Sequence, residues 1–135
     1  MLGVAPAAAY AFQGFVSVAV AICVAYLWRS ATSLPVRVAA LAAGTLLCVP
    51  LALFYDLILL SIGVAWLVRQ GLANGFPPGE KLLLAVPYLV AFGAHFFGAW
   101  LGVPTGPLAA VSVLCVCLMR ARRELAAPVA AAVMA

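Results

Sequence analysis

The sequence predicts an all-α polytopic membrane bundle of about five transmembrane helices, with the amino terminus outside and the carboxyl terminus in the cytoplasm. Three observations predict it. Of the 135 residues, 69% are hydrophobic and only 7% are charged, whereas a soluble domain carries roughly 25% charged residues. The mean hydropathy is +1.28, and the apolar residues fall into runs near span length. The basic residues gather in alternate gaps between those runs, as the preference of Lys and Arg for cytoplasmic loops requires. A soluble chain of this size would still expose about a third of its unfolded surface, and seven basic plus three acidic residues cannot cover that area with polar atoms.

The first run, from about Ala7 to Trp28, reaches the length of a span, and Arg29 closes it. No basic residue precedes it and it exceeds the apolar core of a cleaved leader, so it reads as a span. After the polar link Arg29 to Ser33, Pro35 opens a second run that continues to Val68. As one helix that run would be roughly 50 Å long, well beyond a hydrocarbon core of about 30 Å. It must turn back, and Pro50 to Asp56 is the place, because Pro50 removes a backbone donor and Asp56 is the only charge in that stretch beyond Arg37. Two arms of about 15 residues follow, predicted as short or tilted spans.

Arg69 ends the third span, and the turn formers of Gly71 to Gly79 read as a loop, with Glu80 and Lys81 at the next helix start. The fourth span runs from about Leu82 to Trp100, Gly102 to Gly106 form an outer turn, and the fifth span reaches about Met119, where Arg120, Arg122 and Arg123 stop it. Residues 1–124 make one bundle and 125–135 a short Ala-rich tail. Arg29 and Arg37, then Arg69 and Lys81, then the three arginines mark the cytoplasmic side, and Asp56 falls on the outer side.

The net charge of +4 does not indicate a nucleic-acid partner, because the basic residues are scattered between apolar runs rather than clustered on one face. Cys23, Cys48, Cys115 and Cys117 all lie in apolar runs without the spacing of a redox or zinc pair, and one histidine alone makes no metal site. No cofactor is predicted. The ionisable groups that need a reason within or beside lipid are Asp56 and His95. Asp56 reads either as a substrate-facing carboxylate or as the cap of the third span. His95 lies about one turn below the outer surface and shares a helix face with Tyr88, so Tyr55, Asp56 and His95 form the candidate substrate-binding group. The bland alternative for His95 is a hydrogen bond to a neighbouring helix.

The segment Leu46 to Arg69 followed by Gln70 to Leu83 resembles the carboxyl-terminal part of glycosyltransferase family 87, polytopic enzymes of the C superfamily. Its features are Pro50 before the pair Tyr55-Asp56, then Ala65-Trp66-Leu67 and Arg69, then the loop Gly75 to Lys81, with Gly102 to Leu108 fitting as well. The resemblance implies transfer of a mannosyl or other sugar unit from a polyprenyl-phosphate donor at the extracytoplasmic face of a bacterial inner membrane. It also implies membrane lipid and a polyprenyl-phosphate-linked sugar as partners, together with a missing amino-terminal part of the enzyme or other membrane helices. Members of that family are several times longer, with essential acidic residues in outer loops that have no counterpart here. The chain is therefore expected to be an inactive piece when isolated. A small transporter subunit and a non-catalytic accessory protein are the competing expectations.

Overall fold

The computed structural model describes the backbone of residues 6–49, 57–101 and 105–133, and the side chains of 7–49, 57–93 and 106–126. Among the described residues five α-helices follow one another: α1 (Pro6–Arg29), α2 (Leu34–Cys48), α3 (Leu57–Asn74), α4 (Glu80–Leu101) and α5 (Thr105–Val133). No strand occurs among the described residues. The proposed turn from Pro50 to Asp56 lies outside them. Two of the described helices, over Ala7–Arg29 and Leu57–Asn74, are long and apolar enough to cross a membrane, while α2 has 15 residues.

Pro6 opens α1 at a position where a missing N–H costs nothing. At the other end the last carbonyls find side-chain donors: the Ser30 hydroxyl donates to Tyr26 O at 2.6 Å and the Thr32 hydroxyl to Leu27 O at 2.9 Å. Among the described side chains of α1 only Val20 and Leu27 are buried, with Gln13, Val16, Ser17, Cys23 and Val24 half-buried on the same stripe. That stripe rests on α2, and Phe12, Phe15 and Ile22 on the other side stay open.

Helix α2 is the centre of the bundle, packed against α1, α3 and α5. Its small residues make this possible, since Ala39, Ala40 and Ala43 are fully buried and let neighbouring backbones approach closely. The tightest approach is at Gly63 of α3, where an added Cβ would lie 3.0 Å from Ala39 Cα. Ser33 beside Gln70 and Ala39 beside Gly63 run in opposite order along the chain, so α2 and α3 are antiparallel. Gln13 Nε2 donates to Leu47 O at 3.0 Å, giving one of the terminal carbonyls of α2 a partner. A polar residue inside an apolar run thus has a structural role.

The sequence placed a loop from Gly71, whereas α3 continues to Asn74 before Gly75, at φ +85°, turns the chain. Glycine adopts that left-handed conformation without the penalty a side chain carries. The fifth helix departs further from expectation. It does not end at the arginines but runs through Arg120, Arg122 and Arg123 to Val133. Charge ends an apolar run, but Ala, Arg, Leu and Glu are all good helix formers.

Large and small side chains are distributed in an unusual way for a protein in water. Phe12 is 70% exposed, Leu72 77% and Phe92 80%, while alanines occupy much of the interior. The outer surface carries the bulk of the apolar volume, and the helix contacts carry the small residues.

Candidate functional site

The predicted substrate-binding group is Tyr55, Asp56 and His95. Tyr55 and Asp56 fall outside the described residues. His95 belongs to α4, and its side chain falls outside them too. The site they were expected to form is therefore neither assembled nor dispersed by the described side chains. Tyr88 is described, exposed, and set in the wall of a cleft between α3 and α4. This cleft of about 350 Å³ is lined by Leu57, Ile58, Ser61 and Val64 on α3 and by Pro87 and Tyr88 on α4. It starts one residue after Asp56. Pro87 helps to shape it, because proline inside α4 has no N–H for the carbonyl one turn earlier. The Ser61 hydroxyl is turned back onto Ile58 O at 2.6 Å, so the wall is almost entirely apolar.

The opposite end of the bundle holds a polar cluster. Glu80, in the first turn of α4, is 1% exposed, and its Oε1 accepts from Arg120 Nε of α5 at 2.5 Å. An acid is favoured in that turn by the partial positive charge of the helix start. Arg120 is 6% exposed, and its Nη2 donates to Leu67 O of α3 at 2.9 Å. One turn further along α5, Glu124 gathers three donors. Its Oε2 accepts from the Ser33 backbone N–H at 2.7 Å, and its Oε1 accepts from the Ser33 hydroxyl at 2.7 Å and from Gln70 Nε2 at 2.9 Å. Ser33 precedes the first turn of α2 and does not cap that helix with its own side chain. Arg37 Nη2 donates to Ser30 O at 2.7 Å and locks the same turn from the α2 side. Buried charges persist only when paired and hydrogen-bonded, and here α3, α4, α5 and the α1–α2 turn supply the partners. Glu80 Oε2 and Gln70 Oε1 are the buried side-chain atoms without a partner among the described residues.

Sequence reasoning missed this cluster. It assigned Arg120 with Arg122 and Arg123 to topology and gave Glu124 no role. Arg122 and Arg123 are exposed, but Arg120 points into the bundle. A usable signal was present: three acids in the whole chain, two of them at the ends marked by basic residues, with Arg120 and Glu124 four residues apart on one helix face. Because Glu124 holds three donors, Glu124→Ala is expected to cost about 1.5–3 kcal/mol of stability. Glu124→Gln, which retains one acceptor, is expected to lose less, and unfolding of the detergent-solubilised chain would measure both.

Comparison of the chain with protein-family models, with curated proteins and with solved structures found no match.

Proposed function

We propose that the chain is a five-span membrane bundle, amino terminus outside and carboxyl terminus inside, that forms the lipid-side part of a glycosyltransferase using polyprenyl-phosphate sugars. In this reading the isoprenoid chain lies in the α3–α4 cleft, with Tyr55, Asp56 and His95 at its outer mouth, near the sugar phosphate. The observation that carries the proposal is the cleft itself: apolar walls beginning at Leu57, directly after the one acidic residue on that side. An isoprenoid tail needs only apolar contact and shape.

Two further features support a membrane setting. Large apolar side chains such as Phe12, Phe15, Ile58 and Phe92 face outwards, with alanine at the helix contacts, and packing of small residues is how helices associate where lipid supplies no hydrophobic driving force between them. The α1–α2 turn, the end of α3, the start of α4 and the arginine-bearing part of α5 meet through side-chain hydrogen bonds at one end. Those are the segments that the charge rule assigns to the cytoplasm.

Sugar transfer needs a general base and groups that stabilise the departing phosphate. One aspartate and one histidine do not complete that set, so catalysis is assigned to the protein together with a partner segment. The test is photocrosslinking of the chain in membranes with a diazirine-bearing polyprenyl phosphate. Labelling should map to residues 57–64 and 87–91 and should fall when Ser61→Trp fills the cleft. Labelling that ignores Ser61→Trp would overturn the assignment. Single cysteines at positions 56 and 105, but not 75, should react with an impermeant maleimide in intact cells. Reaction at 75 would invert the topology.

A further inference from the structure

We propose that the polar end of the bundle contains a phosphate-binding site, built from Arg120 and Arg123 at a cavity of about 270 Å³ between α3, the α3–α4 turn and α5. Gln70, Asn74, Phe76 and Glu124 complete the walls that matter here. The site lies at the other end of the molecule from the apolar cleft, and its existence does not depend on sugar transfer.

Arg120 has unused donors. Arginine has five N–H groups in a planar fork. Arg120 commits Nε to Glu80 and one Nη2 proton to Leu67 O, which leaves three N–H groups without a partner among the described residues. Those two bonds also fix the plane of the guanidinium, so the remaining donors are held in place before any ligand arrives. Arg123 lies three residues further along α5, on the neighbouring position of the same face. It is exposed and makes no ion pair among the described residues.

Among the described residues neither acid nearby forms an ion pair with Arg123. Glu80 is taken by Arg120, and Glu124 is surrounded by the Ser33 N–H, the Ser33 hydroxyl and Gln70 Nε2. The two acceptors left without partners, Gln70 Oε1 and Glu80 Oε2, are sealed from solvent and present no exposed lone pair to an entering anion. What the cavity offers is therefore a preoriented guanidinium with a second, exposed one beside it. That pair suits the tetrahedral oxygens of phosphate, which arginine binds through paired N–H donors. Basic pockets between membrane helices on the cytoplasmic side take lipid headgroups by the same chemistry, and a soluble phosphate is the other source.

The experiment uses the full chain in detergent micelles, titrated calorimetrically with inorganic phosphate and, separately, with dihexanoyl phosphatidic acid. Binding of at least one is expected, weakened about tenfold by Arg123→Gln, close to the loss of one charge-assisted contact. Arg122→Gln, which removes the same charge from an exposed position outside the cavity wall, should leave it unchanged. Preference for phosphatidic acid identifies a lipid headgroup as the ligand, whereas comparable binding of inorganic phosphate identifies a soluble one. Absence of binding by both probes, or equal weakening by Arg122→Gln and Arg123→Gln, would overturn the site. Arg123 is exposed, so its substitution tests binding without threatening the fold.

Discussion

Replacing Arg120 by methionine is expected to cost about 3–5 kcal/mol, because it leaves Glu80 buried and uncompensated. Glu80 is 1% exposed, and the Arg120 guanidinium is the one partner of its carboxylate among the described residues. The carbonyl of Leu67 also loses its side-chain donor. Removing both charges together should behave differently. In Glu80→Leu/Arg120→Met no charge remains to be desolvated, and replacing a whole buried pair by apolar groups is often close to neutral. The expected result is thus a strongly destabilised single variant and a double variant nearer the parent, read from unfolding in detergent. A single variant as stable as the parent would show that Glu80 reaches water, contrary to its burial.

The second large effect is expected at Gly63. A side chain there meets the backbone of α2 and not the tip of a flexible group, since the nearest atom to an added Cβ is Ala39 Cα at 3.0 Å. Leucine at position 63 must push α2 and α3 apart, which carries an overpacking cost of about 1–3 kcal/mol or more. Trimming Ala39 to glycine does not relieve it, because Cα remains. Gly14 provides the control, with nothing within 4 Å of an added Cβ. Gly14→Leu is expected to stay within about 0.5 kcal/mol of the parent. If both variants lost the same stability, the close approach of the two helices would be refuted.

The number and order of the helices were legible because proline and glycine punctuate the apolar runs. Pro35 falls at the start of α2, Gly75 and Pro77 lie between α3 and α4, and the second run was too long for one helix. The end of α5 was not legible in the same way. Arginine marks the limit of an apolar run, but the backbone continues through any sequence of helix formers, as it does here to Val133. Of the candidate site, Tyr55, Asp56 and the His95 side chain lie outside the described residues, while Tyr88, noted only for sharing a helix face with His95, lines a cleft. The polar cluster escaped notice for a physical reason. Basic residues were counted by loop, which gives orientation but ignores acids, and the partners of Glu124 lie on α3 and before α2, far away in sequence.

That separation has a consequence for the order in which the protein is assembled. Ser33 meets Glu124 across 91 residues of chain. During synthesis α1 and α2 emerge with the Ser33 N–H and hydroxyl still lacking this acceptor, and α3 emerges with Gln70 in the same condition. Only when the ribosome has passed position 124 does one carboxylate gather the three donors. Helix α5 therefore acts as a clasp on the α1–α2 turn, and nascent chains that have not reached it remain open to mispairing or proteolysis there.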